Sequence, residues 1–142
     1  MRKISLSVII VFIGVVIFAG CGRVISIPVN CGTNFSKCPQ GKCMFDVSFS
    51  ADSILAVESG NSAKTIFFAG RIFLIGENFS HIWIGEVEDN AIEFHPREVK
   101  SGNMLNPTFD WSRENLVIKW HTKDENEHRI VINGEGKIVE EN

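Results

Sequence analysis

The chain has 142 residues and a formal net charge of −3, a length that suits one domain rather than several. Removing the first twenty residues, which carry Arg2 and Lys3, leaves 12 basic against 17 acidic residues. No basic cluster then remains to meet a phosphate backbone, so we expect no nucleic-acid partner. The hydrophobic share of 44% falls partly in those first twenty positions, and the rest has the composition of an ordinary globular protein.

The N-terminal segment has the order of an export signal. Arg2 and Lys3 precede an apolar run from Val8 to Phe18 that only Gly14 interrupts, within the roughly 7 to 15 residues of a signal-peptide core. A helix that spans a bilayer needs about 20 apolar residues, so cleavage is favoured over permanent insertion. We interpret residues 1–20 as a signal peptide; the alternatives are a secretory signal cleaved elsewhere and an uncleaved anchor helix.

The four residues Phe18-Ala19-Gly20-Cys21 resemble the lipobox of bacterial lipoproteins. The resemblance implies that the Cys21 thiol receives a diacylglycerol, that the preceding peptide bond is cut, and that Cys21 becomes the first mature residue. Two or more acyl chains give stable attachment, at about 0.8 kcal/mol per buried methylene. Membrane lipid is therefore an expected partner, through Cys21, of an exported protein of the cell envelope.

The residue after the modified cysteine bears on which membrane holds the protein. In Gram-negative lipoproteins an Asp at that position often retains the protein in the inner membrane, whereas this chain has Gly22. By analogy the protein would lie at the periplasmic face of the outer membrane, if the cell is Gram-negative. The inference has no meaning for a cell with one membrane.

Residues 21–30 are predicted to be the lipidated cysteine and a short tether, and residues 31–142 a single β domain. The segment from Gly22 to Asn30 is too apolar for a flexible Gly/Ser tether and reaches at most about 30 Å, at about 3.3 Å per residue. It would hold the domain close to the lipid surface, and it could also supply a first strand.

Three cysteines remain for the folded domain, namely Cys31, Cys38 and Cys43. An exported domain meets an oxidising compartment in which close cysteines pair, so we predict one disulfide and one thiol left over. The residues from Cys38 to Gly41 have the pattern of a type I turn, which lets the chain double back toward Cys43. Cys31 with Cys43 and Cys38 with Cys43 are both plausible pairs. The spacing matches neither a zinc site nor a C-x-x-C motif, and we predict no metal and no cofactor.

From Phe45 onward short runs of Val, Ile, Phe and Trp are separated by Gly, Asn, Asp and Ser every 8 to 12 residues or so, a pattern typical of antiparallel strands and tight turns. We predict an all-β fold, a small antiparallel sandwich or barrel. The predicted strands are Phe45–Phe49, Ile54–Glu58, Thr65–Ala69, Arg71–Ile75, His81–Val87, Ala91–His95, Leu116–His121, Arg129–Ile132 and Lys137–Glu140.

Hydrophobic alternation gives some of these strands a buried and a wet side. Leu116, Ile118 and Trp120 share one face of their strand, which predicts a half-buried strand. The runs Ile66–Phe68 and Ile72–Ile75 are apolar on both faces instead. They predict the centre of the core, as a central strand pair or as one long strand bent at Gly70.

No catalytic motif is present. The chain lacks G-x-S-x-G, S-x-x-K, H-E-x-x-H and a phosphate-binding glycine loop, so the common hydrolase and nucleotide-binding signatures are missing. We predict no catalytic residues. The four histidines lie in or directly beside different predicted strands, which favours exposed or strand-end positions over a metal site: His81, His95, His121 and His128.

Two further features bear on binding. The longest stretch without a regular pattern runs from Pro96 to Asp110 and is predicted to be a loop, either a simple connection or a recognition loop. Trp83, Trp111 and Trp120 could form a platform for a sugar, but core positions are favoured for Trp120 and Trp83.

Together these features predict a lipid-anchored envelope protein with a non-catalytic binding or assembly module, whose partner is an envelope protein, a wall component or a small ligand. The alternative is an envelope enzyme, or an inhibitor of one, whose site the sequence does not reveal.

Overall fold

The computed structural model of the protein describes residues 25–28, 38–45, 63–87 and 91–142. This part of the chain contains strands and one short 3-10 segment, Pro39–Gly41, but no α-helix. The strands are β1 (Ile25–Pro28), β2 (Lys42–Phe45), β3 (Ala63–Phe68), β4 (Arg71–Gly76), β5 (His81–Val87), β6 (Ala91–Glu98), β7 (Leu105–Ser112), β8 (Asn115–His121), β9 (Glu127–Ile132) and β10 (Ile138–Glu141).

The strands form two antiparallel sheets that pack against each other. One sheet has six strands in the order β1-β6-β5-β4-β3-β2, and the other has four in the order β10-β9-β8-β7. Buried residues of both sheets belong to one hydrophobic core. The all-β prediction is therefore confirmed, and of the two architectures it left open the protein has the sandwich.

The six-stranded sheet is buried on both faces at its centre. Ile72, Phe73, Leu74 and Ile75 follow one another in β4, and the side chain of each is completely buried. Because successive residues of a strand point to opposite faces, neither face of β4 is open to water. The run Ile72–Ile75, which is apolar on both faces, thus lies in a central strand, as predicted.

The four-stranded sheet instead has one buried and one wet face. In β8, Leu116, Ile118 and Trp120 are buried, whereas Lys119 and His121 between and beyond them are not. The buried set lies opposite Ile132, Ile130 and His128 of β9 in the antiparallel register. This confirms the half-buried strand that the alternation predicts.

Polar links at the rim show which face of the six-stranded sheet meets the other sheet. Arg71 donates from Nη1 to the carbonyl oxygen of Gly136 at 2.8 Å, and Lys64 donates from Nζ to the carbonyl oxygen of Pro107 at 2.8 Å. In the strand register these two cations share a face with Phe73, so Phe73 packs between the sheets. Leu74, its neighbour in the chain, lies on the face turned away from the four-stranded sheet.

Tight turns join several pairs of neighbouring strands in the described part of the chain. Ala69 and Gly70, between β3 and β4, both have positive φ, at 51° and 73°, as a two-residue type I′ hairpin requires. The chain therefore forms two paired strands here, not one strand bent at Gly70. In the turn after β9, the side-chain oxygen of Asn133 accepts hydrogen bonds from the backbone nitrogens of Glu135 and Lys137, an Asx-type turn.

The prediction of a loop from Pro96 to Asp110 is wrong for most of that stretch. Strand β6 extends through Pro96 to Glu98, and β7 begins at Leu105. Both prolines occupy places where a missing N–H is tolerated. Pro96 lies beyond the four residues of β6 that pair with β1, and Pro107 lies in an edge strand at a register shift between Leu105 and Thr108.

Other differences are smaller. Strand β2 spans Lys42–Phe45, so of the predicted strand Phe45–Phe49 only Phe45 lies within the described residues. Strand β1 occupies part of the apolar connector, for which a first strand was one of the possibilities. The predicted strand Ile54–Glu58 lies outside the described residues. The remaining predicted strands agree with β3 to β6 and β8 to β10, with ends that differ by up to three residues.

The sandwich has two distinct ends. One end, here called the loop end, consists of residues 77–80, 99–104 and 122–126, which connect β4 to β5, β6 to β7 and β8 to β9. The first two connections are hydrogen-bonded to each other, since Asn78 donates to the Met104 carbonyl oxygen and Met104 donates to that of Phe79. The opposite end, the turn end, consists of residues 69–70, 113–114 and 133–137.

Candidate functional site

The two cysteines that lie within the described residues are bonded to each other. Cys38 and Cys43 form a disulfide with their Cα atoms 5.2 Å apart, and the 3-10 segment between them carries positive φ at Gln40 and Gly41. Of the two pairings that the sequence left open, this is the observed one. The bond ties the start of edge strand β2 to the turn before it. Cys31 and the lipidation candidate Cys21 lie outside the described residues.

The histidines occupy separate strands. His81 begins β5, His95 lies in β6, His121 ends β8 and His128 lies in β9. Within residues 25–28, 38–45, 63–87 and 91–142, no three His, Cys, Asp or Glu side chains come close enough to hold a metal ion. Their individual surroundings therefore decide what each histidine can do.

The tryptophans do not form a shared platform. Trp83 and Trp120 are each 1% exposed, which confirms the core positions predicted for them. Trp111 lies in β7 with its ring 4.9 Å from that of Phe109 in an edge-on arrangement. Since the three rings belong to β5, β7 and β8 and two of them are buried, they cannot offer a sugar one flat exposed surface.

A small cleft opens between the sheets at the loop end. It has a volume of about 180 Å³ and is called the Trp120 cleft below. The residues that line it come from the connection between β6 and β7 and from the ends of β8, β9 and β10: Lys100, Ser101, Trp120, His128, Glu141 and Asn142.

The antiparallel hairpin of β8 and β9 builds the aromatic wall of this cleft. Trp120 lies directly opposite His128 in the register, and their rings stack with centroids 5.9 Å apart and planes 20° apart. The indole nitrogen of Trp120 donates to the Ser101 hydroxyl oxygen at 2.9 Å. A buried indole N–H without an acceptor is costly, so this bond ties the loop to the core.

The hydrogen bonds of His128 determine which of its nitrogens carries the proton in the neutral ring. Nδ1 lies 3.0 Å from the main-chain oxygen of Asn142, which can only accept, so Nδ1 must be the donor. In the neutral imidazole Nε2 is then an acceptor. The Ser101 hydroxyl already accepts from Trp120 and keeps its own hydrogen to donate.

Ion pairs at the rim partly neutralise the carboxylate of the cleft. Oε2 of Glu141 lies 2.8 Å from Nη2 of Arg97 and 4.0 Å from Nζ of Lys100. The Glu141 side chain is only 15% exposed, whereas that of Lys100 is 87% exposed. The cleft thus combines a paired carboxylate, an accessible ammonium group, one acceptor and one donor, which suits hydrogen-bonded recognition of a compact polar molecule.

A second, wider depression lies beside the outer face of the four-stranded sheet at the same end. Its volume is about 540 Å³, and it is lined by Leu105, Asn106, His121, Thr122, Lys123 and Glu125. Most of this lining is exposed side chain. The depression is a shallow surface feature, and the Trp120 cleft is the better defined site of the two.

The alternation in β8 predicts Trp120 in the core, but it does not predict the cleft. The register of the β8–β9 hairpin is the feature from which the Trp120–His128 pair could have been found. A connection centred on Asp124 places position 120 opposite position 128. Glu141 and Lys100 carried no signal, since their approach depends on how the two sheets stack.

Comparison with known proteins adds no relative: no family model, curated protein or solved structure matches the chain. Within the described residues, no helix has the length and apolar character needed to cross a bilayer.

Proposed function

We propose that the protein is a lipid-anchored binding module of the bacterial cell envelope, held to a membrane by acyl chains on Cys21. The observation that carries the proposal is the order of basic pair, apolar run and Phe18-Ala19-Gly20-Cys21 at the N-terminus. That order resembles a lipoprotein signal, and it puts the modified sulfur at the border between the export signal and the mature chain.

The position of β1 supports the proposal. Ile25 is the first residue of β1, so only Gly22, Arg23 and Val24 separate it from Cys21. A tether this short, at most about 14 Å when extended, keeps the domain close to its lipid anchor. Such a domain can act on molecules at the membrane surface.

The Trp120 cleft supports a binding role. It offers His128 Nε2 as an acceptor, the Ser101 hydroxyl as a donor and the ammonium group of Lys100. These groups recognise a ligand through hydrogen bonds and charge. A compact envelope molecule, or a protruding side chain of an envelope protein, is the size of partner that the cleft accommodates.

Anchoring is tested by cell fractionation of the full chain and two variants. Cys21→Ser removes the only sulfur in the lipobox, whereas Cys31→Ser is a matched control that removes a different thiol. The wild type and Cys31→Ser should fractionate with membranes and incorporate labelled fatty acid, and Cys21→Ser should incorporate none. Equal incorporation by Cys21→Ser would overturn the proposed anchor.

Binding is tested by photo-crosslinking in cells. A photoreactive residue replaces Asn103, which is exposed in the connection that carries Lys100 and Ser101, or Lys137, which is 71% exposed at the turn end. We expect a product of defined added mass from position 103 and none from position 137. Equal products, or none from either position, would count against recognition at the Trp120 cleft.

A further inference from the structure

The direction of β1 indicates which end of the sandwich lies nearer the anchor. Strand β1 pairs antiparallel with β6, with Ile25 opposite Phe94 and Pro28 opposite Ala91. Strand β6 runs from Ala91 toward the loop end, where it ends at Glu98. The N-terminal side of β1 therefore faces the loop end.

The length of chain before β1 sets how far away the lipid can be. Cys21 precedes Ile25 by four residues, which span at most about 14 Å when fully extended. Strand β6 continues four residues beyond Phe94 to Glu98, about 13 Å at the usual rise of a strand. The two lengths are nearly equal, so four residues are enough for a lipid on Cys21 to lie level with the loop end.

The exposed side chains of the loop end carry both signs of charge. Lys100 and Lys123 are exposed there, and so are Asp124 and Glu125. A zwitterionic headgroup layer presents phosphate and ammonium groups together and can complement both signs. A strongly anionic layer would repel the acidic residues.

We propose that the loop end is the surface of this protein that faces the bilayer, and that it fits a zwitterionic headgroup layer. This inference rests on the proposed anchor at Cys21. The turn end then points away from the membrane, about one strand length further out, or roughly 25 Å for an eight-residue strand. The Trp120 cleft opens at the loop end and lies next to the headgroups.

Lysine footprinting of the lipidated protein on vesicles tests the orientation. The full-length lipoprotein is reconstituted into phosphatidylcholine and phosphatidylethanolamine vesicles and treated with a water-soluble, membrane-impermeant amine-reactive ester. Mass spectrometry then gives the modification rate at Lys100 and Lys123 relative to Lys137 of the turn end. The Cys21→Ser protein, mixed with the same vesicles, provides the unanchored reference.

We expect the relative rate at Lys100 and Lys123 to fall several-fold in the anchored protein, with Lys137 unchanged. Protein that floats with the vesicles but shows equal rates at both ends would overturn the orientation and leave the anchor intact. Protection of Lys137 instead would show the opposite orientation. Wild-type protein that carries no lipid and does not float would overturn the proposed function itself.

A longer tether provides a matched control. Insertion of a flexible Gly/Ser segment after Arg23 lets the domain rotate and move away from the lipid surface. We expect this variant to float with vesicles as the wild type does, but to lose the protection of Lys100 and Lys123. Retained protection would show that tether length does not set the orientation.

Discussion

The two sheets of the sandwich differ in how their strands are buried. In β4 of the six-stranded sheet, Ile72 to Ile75 are all fully buried, whereas in β8 of the four-stranded sheet buried and accessible residues alternate. An antiparallel sheet commonly has one wet face, and burial of both faces is more typical of parallel sheets. The difference shows that a continuous apolar run can mark a doubly covered antiparallel sheet, and it predicts that the two sheets tolerate polar substitutions unequally.

The largest expected effect comes from placing the same residue on the corresponding faces of the two sheets. Leu74→Thr puts a hydroxyl into a fully buried position on the face turned away from the four-stranded sheet. We expect it to lower the free energy of unfolding by about 3 kcal/mol or more. Val117→Thr, on the outer face of β8, should change it by less than about 1 kcal/mol. Urea denaturation followed by tryptophan fluorescence measures both, and equal losses would contradict the comparison.

Two glycine-to-alanine substitutions compare how tightly side chains pack in the six-stranded sheet and in a turn of the four-stranded sheet. A Cβ added at Gly85 in β5 would lie 2.8 Å from side-chain atoms of Ile92 and Phe94, so Gly85→Ala should cost about 1 to 3 kcal/mol through overpacking. At Gly134, in the turn after β9, the nearest atom is the Glu114 carbonyl oxygen at 3.6 Å. Gly134→Ala should therefore be close to neutral in thermal unfolding. A Gly85→Ala protein as stable as the wild type would show that β5 and β6 are packed more loosely than these distances indicate.

Removal of the hydrogen bond between Ser101 and Trp120 tests how firmly the connection between β6 and β7 is held to the four-stranded sheet. Ser101→Ala leaves the buried indole N–H of Trp120 without its acceptor, and we expect a loss of about 1 to 2 kcal/mol. Asn103→Ala, at an exposed position of the same loop, is the matched control. In proton–nitrogen NMR spectra the indole signal of Trp120 should move in Ser101→Ala and stay in place in Asn103→Ala. No movement in Ser101→Ala would refute the bond.

The smallest expected effect concerns the rim where the two sheets meet. Lys64 lies in β3 and donates a hydrogen bond from Nζ to the Pro107 carbonyl oxygen. The same nitrogen lies 5.9 Å from the centre of the Phe109 ring. Lys64→Met keeps most of the aliphatic stem but loses the charge, and should cost about 1 kcal/mol. Lys123→Met, at an exposed position in the loop after β8, should leave the melting temperature nearly unchanged. Equal melting temperatures for the two variants would show that the rim contact adds nothing to stability.

Much of the fold could be predicted from local patterns. Alternation in β8 and the continuous apolar runs of β3 and β4 identified both kinds of strand, because each pattern reports directly on burial. Strand β7 was missed although its sequence alternates, since the less exposed Leu105, Pro107, Phe109 and Trp111 follow one another with exposed polar residues between them. Pro107 lies inside that run, and a proline argues against a strand unless the strand is at an edge or irregular. Strand β7 is both, because it lies at the edge of its sheet and has a register shift between Leu105 and Thr108.

The candidate site was less predictable for a physical reason. The Trp120–His128 stack follows from one hairpin and its register. Glu141 of β10 meets Arg97 of β6 and Lys100 of the connection after β6, both more than 40 positions earlier in the chain. No local pattern specifies these contacts. The sequence left two disulfide pairs open, and the backbone at Gln40 and Gly41, where φ is positive, turns the chain so that Cys38 meets Cys43.

The proposed lipid on the sulfur of Cys21 is best tested by the intact mass of the protein purified from cell membranes. We expect a chain that begins at Cys21 and carries the added mass of a diacylglycerol, with or without one further acyl group. A chain that begins at any other residue, or an unmodified Cys21, would contradict it.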